Sequence, residues 1–268
     1  MLLLKILYKQ AAFGINNLRI DARITTHPIL GSPWLMVATI LLYNFSILKV
    51  GPRFMKNRKP YKVEVYMKIY NIVQILINAM VFYEFLRYAV FAPDYSLKCE
   101  AYDPNDRRER TMKLVRPVVL YYISKNLDIL DTVFFLLRKK YNQISFLHLY
   151  HHSIMIFGTY MYLSQMFASH VTSTGILNSF IHVVMYTYYL IAATKPKIDL
   201  TPWKKILTSM QLIQFVLLGI HFSLPLMFFT CRVTVFWTWV AFLQNLFMIA
   251  MFSHFYYRTY IRKPRKVQ

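Results

Sequence analysis

The chain has 268 residues, 57% of them hydrophobic, and a formal net charge of +21. That apolar share exceeds what a soluble domain carries, and it falls in runs long enough to cross a bilayer, so no region of soluble-domain size remains. The positive charge is concentrated in the connections between the runs, which is a topology signal rather than the footprint of a nucleic-acid-binding module.

The N-terminal segment lacks a short apolar core followed by a small-residue cleavage site, so no cleavable signal is predicted. Seven runs follow, each near the ~20 residues that span a bilayer. They are Pro33–Leu48, Met67–Phe91, Pro117–Leu137, Ile144–Phe167, Val171–Thr194, Ile206–Phe229 and Val233–Phe255. The expected fold is an all-α polytopic membrane protein with seven transmembrane helices, forming one integral-membrane domain over residues 1–268. Pro and Gly mark the boundaries, as at Gly51-Pro52, Arg116-Pro117 and Lys195-Pro196.

The first run contains a sequon, Asn44-Phe45-Ser46, too deep in apolar sequence to be glycosylated. The second carries Glu84 and Arg87, whose spacing of three predicts a helical ion pair. The third holds Lys125, Asp128 and Asp131, again three apart, with Thr132 beside them. The fourth holds His148, His151 and His152, and positions i, i+3 and i+4 project from one helix face. The fifth has Asn178 and His182 one turn apart, then Tyr186 and Tyr189 on the same face. The sixth has Thr208, Gln211 and Gln214 at spacings of three, with His221 deeper.

Ionisable groups at membrane depth are costly and mark function. Four helices with polar faces are most simply satisfied by turning them toward one common chamber. The positive-inside rule puts Lys49–Lys62, Arg138–Lys140, Lys195–Lys205 and the tail from Arg258 in the cytosol. The N-terminus is then luminal, the C-terminus cytosolic, and the polar groups gather in the cytosolic half. Cys99 and Cys231 fall on the other, oxidising side, where a disulfide competes with two unpaired thiols. The tail Arg262-Lys263-Pro264-Arg265-Lys266 loosely resembles a dilysine retrieval signal.

Histidine can ligate metal, move protons or act as nucleophile. Membrane di-iron enzymes use several histidine boxes, whereas this chain has one, with His182 as an isolated addition; Asp128 and Asp131 could at most complete a mononuclear site. Acyl transfer fits better. An imidazole attacks a thioester or deprotonates a carbon acid, while Lys125 and the amides of Asn178, Gln211 and Gln214 stabilise an oxyanion. An apolar bundle suits a long hydrocarbon, and a basic mouth suits the phosphates of coenzyme A.

Four ordered blocks carry a resemblance. Lys125-Asn-Leu-Asp128-Ile-Leu-Asp131-Thr132, His148-Leu-Tyr-His151-His152, Asn178-Ser-Phe-Ile-His182-Val-Val-Met185-Tyr186-Thr-Tyr188-Tyr189 and Thr208-Ser-Met-Gln211-Leu-Ile-Gln214 resemble the signature blocks of the very-long-chain fatty acid elongases. These are the condensing enzymes (3-oxoacyl-CoA synthases) of the endoplasmic reticulum. The resemblance covers essentially the whole chain. It implies a bundle of spans two to seven around a closed acyl tunnel, with the first span outside. It implies condensation of a long-chain acyl-CoA with malonyl-CoA through an acyl-histidine, which maps to His151, with His182 as the neighbouring functional histidine. It also implies a luminal disulfide at Cys99 and Cys231. No bound cofactor, metal or nucleic acid is expected. Other enzymes of the elongation cycle and a second copy of the chain are the expected partners. The departure is Asp128, where the family usually has Glu. The alternatives are a metal-dependent desaturase or hydroxylase, separable by iron and oxygen dependence, and a non-enzymatic lipid carrier, which forms no acyl-histidine.

Overall fold

The computed structural model describes residues 5, 9, 20–24, 32–96, 99–194, 197–227 and 235–262. Within them all regular structure is helical. The α-helices are α1 (Pro33–Phe45), α2 (Gly51–Met55), α3 (Glu64–Phe85), α4 (Glu109–Lys113), α5 (Val115–Leu127), α6 (Ile129–Leu137), α7 (Phe146–Gln165), α8 (Thr172–Ala193), α9 (Thr201–Met227) and α10 (Val235–Tyr256). α1 runs through a π-helical turn, Ser46–Val50, into α2, and α3 and α10 each end in such a turn.

Among the described residues, five segments are long and apolar enough to cross a membrane: Pro33–Met55, Glu64–Val90, Thr172–Ala193, Thr201–Met227 and Val235–Ile261. The expected third and fourth spans do not qualify. The third is broken at Asp128 into α5 and α6. The Asp131 amide bonds the Asp128 carbonyl at 3.2 Å there, a tightened turn in place of the α-helical register. The fourth is one helix, α7, of 20 residues, but its three histidines dilute its apolarity.

Helix neighbours form a ring. α7 packs on α5, α5 on α3, α3 on α8, α8 on α9 and α9 on α10. Side chains close the circuit from α10 back to α7. Tyr150 donates to Gln244 Oε1 at 2.7 Å, and the Trp237 indole donates to Gln165 Oε1 at 2.8 Å. α1 lies against α7, with the Asn44 amide donating to Ser153 Oγ at 2.9 Å. The most extensive helix contact is α3 on α8. A Cβ at Gly175 would come within 2.5 Å of the buried Phe85 ring, so only glycine fits there.

One expectation about charge is corrected. Glu84 pairs with Arg116 at 2.9 Å, not with Arg87, which donates to the Tyr83 hydroxyl. The π-helical turn beginning at Leu86 rotates Arg87 out of the spacing that a regular helix gives. Residues 20–24, unremarkable in sequence, form a latch. Asp21 and Arg23 make a 2.5 Å ion pair whose side chains are 2% and 1% exposed. Arg23 also donates to the Asp103 and Asp106 carbonyls, and Tyr102 donates to Asp21. Burial opposes the Asp21 charge, but the hydrogen bonds from Arg23 and Tyr102 outweigh it and hold the carboxyl below its usual range. Ile20 and Ile24 join the main core with Phe85, Tyr121 and Tyr162. Cys99 is not a free thiol. Cys231, the loop around Arg232, Lys195-Pro196 and the tail beyond Arg262 lie outside the described residues.

Candidate active site

The centre of the site is a buried ammonium. Lys125, near the end of α5, is 0% exposed. Its Nζ lies 2.9 Å from Asp128 Oδ2 and 3.0 Å from His182 Nδ1, and 5.2 Å over the Tyr121 ring. An ammonium has three N–H donors, and these neighbours account for all three. A buried ion pair survives only when its remaining polar atoms are satisfied. The break between α5 and α6 aims Asp128 inward, and Asp128 Oδ1 accepts from Gln74 at 2.7 Å and from Tyr186 at 2.8 Å. The site therefore joins α3, α5 and α8 through one carboxylate.

Tyr186 also lies 2.9 Å from Asp131 Oδ2 and 3.0 Å from the Tyr70 hydroxyl. A phenol carries one proton, so it donates to one of these oxygens at a time. Asp128, Asp131, Tyr186 and Tyr70 thus share protons as a unit. Asn178 is held one turn away, accepting from Tyr121 at 3.0 Å.

The histidine box faces this cluster from α7. Ser145 caps α7 by accepting from the His148 amide, which starts the helix three residues before the first imidazole. His148 Nε2 lies 2.8 Å from Thr132 Oγ1, which in turn lies 2.8 Å from the Tyr43 hydroxyl of α1. His152 is buried, with its ring centroid 4.3 Å from that of His148 and 6.4 Å from Tyr43. His151 packs edge-on against His152 and has no hydrogen-bond partner among the described residues. It interacts electrostatically with Lys125 and Asp128, and His182 interacts with it in turn. His151 and Tyr189 are half-buried, so each keeps accessible surface beside the buried cluster.

The structure thus brings Lys125, Asp128, Asp131, His148, His151, His152, Asn178, His182 and Tyr186 together, as their spacing predicts. Gln211 and Gln214 are less integrated. Among the described residues, Gln211 donates to the Met185 sulfur at 4.0 Å and makes no other hydrogen bond, and Gln214 Oε1 is buried without a partner. His221 stacks on His170 with centroids 3.6 Å apart, each ring bonded to the other's backbone carbonyl. Sequence reasoning passed over Tyr70, Gln74 and Asn78 of α3. Asn78 and Gln74 are fully buried and join Ser124 of α5 in one network. Their spacing of four puts all three on one helix face, a signal as legible as the histidine box. Among the described residues no group of three or more His, Cys, Asp or Glu side chains is disposed to hold a metal ion.

A membrane bundle that encloses an unbonded imidazole beside a held ammonium–imidazole pair defines a class of intramembrane acid–base site. The comparisons give it a family. Residues 28–268 match the family described as "ELO: GNS1/SUR4 family". The chain is 35% identical over 256 residues to very long chain fatty acid elongase 1 of Mus musculus, covering 92% of this chain and 90% of that one. It is 34% identical to very long chain fatty acid elongase 1 of Homo sapiens, with the same coverage of each chain. It is also 34% identical over 252 residues to very long chain fatty acid elongase 7 of Drosophila melanogaster, covering 92% of this chain and 74% of that one. The chain belongs to the ELO family of very long chain fatty acid elongases.

Proposed function

We propose that this chain is a 3-oxoacyl-CoA synthase that condenses a long-chain acyl-CoA with malonyl-CoA in fatty acid elongation. The observation that carries the reading is the unbonded, half-buried His151 imidazole, set within electrostatic reach of Lys125 and His182. A nucleophile needs a free lone pair and room for its substrate: His148 Nε2 is engaged by Thr132, His152 is buried against His148, and the His151 ring keeps accessible surface.

In the first half-reaction His151 attacks the acyl thioester, the C–S bond breaks, and coenzyme A leaves as the thiol, taking the proton that the imidazole gives up. In the second, malonyl-CoA loses carbon dioxide. The electron pair so released attacks the acyl carbonyl, the C–N bond breaks, and the leaving nitrogen takes up one proton from solvent, which restores the imidazole. The 3-oxoacyl-CoA product is two carbons longer. The Lys125 ammonium, oriented by Asp128 and His182, is the group to stabilise negative charge on a carbonyl oxygen. Enclosure keeps water from the reactive acyl-imidazole.

This reading threads the chain seven times, with α5–α6 and α7 as the third and fourth crossings. Their polar residues face protein instead of lipid, which is how a membrane tolerates them. The N-terminus is then luminal and the C-terminus cytosolic, in the endoplasmic reticulum membrane. Helices α3 to α10 surround a closed acyl tunnel, and Cys99 pairs with Cys231 on the luminal side. The partners are malonyl-CoA, acyl-CoA, other elongation enzymes and a second copy of the chain; no cofactor stays bound.

The test is incubation of purified protein with acyl-CoA alone. A burst of coenzyme A, with an acyl mass adduct on the peptide bearing His151, is expected, and His151→Ala should abolish both. Release of coenzyme A only when both substrates are present, with no histidine adduct, would replace the acyl-histidine with a ternary complex in which the box acts as base.

A further inference from the structure

Resting on the condensing reading, we infer that Gly158 lines the path of the acyl chain and that its missing side chain sets how long a chain the chamber accepts. Gly158 lies seven residues beyond His151 on α7, two turns and about 10 Å along the same helix face. Helix geometry puts His151, Gly158, Tyr162 and Gln165 on that face, at successive spacings of seven, four and three.

Contacts show which way the face points. Tyr162 reaches across the ring to bond Thr172 of α8 at 2.8 Å, and its ring lies 6.5 Å from Phe85 of α3. Gln165 accepts from Trp237 of α10. Both therefore point into the ring, away from lipid, and Gly158 lies between them and His151. The opposite side of α7 is taken by α1 through Ser153.

A Cβ built on Gly158 meets no atom within 4 Å. At Gly175, which also faces a neighbouring helix, it would run into Phe85. The two glycines thus do opposite things: one admits a neighbouring helix, the other leaves a gap. Apolar interiors are packed without such gaps unless something occupies them. The gap is floored one turn deeper by Tyr162, which is 2% exposed and tied to Thr172. In the other direction the same helix face leads back to the unbonded imidazole of His151. The occupant that fits a space running from a nucleophile along an apolar helix face is a flexible hydrocarbon chain bound through its carbonyl carbon.

The experiment compares wild type with Gly158→Ala and Gly158→Leu by two readouts on purified full-length protein. One is turnover of acyl-CoAs of graded chain length with malonyl-CoA. The other is binding of non-hydrolysable S-alkyl-CoA thioethers of the same lengths. Because an ill-fitting methylene changes discrimination by roughly 10-fold or more, Gly158→Leu should lower the long-to-short ratio of both readouts at least about tenfold. Gly158→Ala should move both ratios the same way by less, while raising thermal stability, since alanine is the better helix former. An unchanged length profile in a folded Gly158→Leu protein, or an equal loss at every length, overturns the assignment. A wild type that binds long thioethers length-selectively but never condenses overturns the condensing reading. If Gly158→Leu still shifts its binding profile, the acyl path stands.

Discussion

The Lys125–Asp128 pair gives the most demanding test, because its two roles separate in a double-mutant cycle. Lys125→Met keeps the length of the side chain and removes its charge. It leaves Asp128 Oδ2 facing His182 without the ammonium 2.9 Å away, in a site where the carboxylate is 2% exposed. Asp128→Asn turns an amide toward Lys125, donor against donor, and leaves the buried ammonium with His182 as its only acceptor. Breaking a buried pair from either side costs about 3–5 kcal/mol, because an uncompensated charge stays behind.

The double variant behaves differently. The carboxamide that Asp128→Asn introduces keeps an oxygen to accept from Gln74 and Tyr186. Its NH2 group faces His182 Nδ1, 3.6 Å from the present Oδ2 and able to accept, while the thioether chain that Lys125→Met introduces fills the apolar space. The double should therefore cost below about 3 kcal/mol, where independent effects would cost about 6–10, a coupling of at least about 3 kcal/mol. In detergent, thermal unfolding midpoints should fall on the order of 10 °C in each single variant and recover most of that in the double. Condensation should be lost in all three, since none retains an ammonium oriented by a carboxylate. Additive midpoint losses would show that the two groups are not a mutually compensating pair. Full turnover in the folded double would remove the pair from the chemistry.

Asp21→Asn should destabilise the protein by about 3 kcal/mol in the same assay by leaving Arg23 buried without its carboxylate, and a midpoint within about 1 °C of wild type would refute the latch. Because the Asp21 carboxyl is held below its ordinary value of 3.8, the latch is at full strength above that pH and fades only as pH falls through the lower folded value. Gly175→Ala should cost about 1–3 kcal/mol through overpacking on Phe85, and pairing it with Phe85→Leu should recover part of the loss; no recovery would place the strain elsewhere. Exhaustive chelation should leave condensation intact, since no group of three or more His, Cys, Asp or Glu side chains among the described residues is disposed to hold a metal ion. Loss of activity restored stoichiometrically by iron or zinc would favour the metal-enzyme alternative.

Much of this was legible because membranes make polarity conspicuous. The fifth apolar run, Val171–Thr194, differs from α8 by one residue at each end, and the face shared by Asn178, His182 and Tyr186 turns inward as its spacing requires. The histidine box was equally plain. Gln74 and Asn78 were missed because uncharged amides scarcely lower the hydropathy of a long run, although their spacing of four was there to be read. The Asp21–Arg23 latch left no trace of that kind. Its residues are two apart in an irregular segment, and their partners are the backbone carbonyls of Asp103 and Asp106, a contact no local pattern encodes. Asn44 shows the reverse case, a sequon whose amide is engaged by Ile40 and Ser153.

The two elements that fail as lipid-crossing helices carry the histidine box and the Lys125–Asp128 pair, while α8, which qualifies, adds His182 and Tyr186. Hydropathy detects surface offered to lipid. α7 offers little, being flanked by α5, α10 and α1, and its last seven residues, Thr159 to Gln165, are all buried. α5 is likewise covered by α3 and α7, with Tyr121, Tyr122, Ser124 and Lys125 all buried. A helix shielded by protein is released from the requirement to be apolar, so it can hold ionisable groups if they satisfy one another. The break at Asp128 belongs to the same account. It spoils the third run as a continuous helix, and it aims a carboxylate at Lys125, Gln74 and Tyr186 on three separate elements. Replacing Asp128 by the longer Glu would move that carboxylate by one methylene within contacts of 2.7 to 2.9 Å. The break between α5 and α6 and the short acid at it are therefore matched to each other.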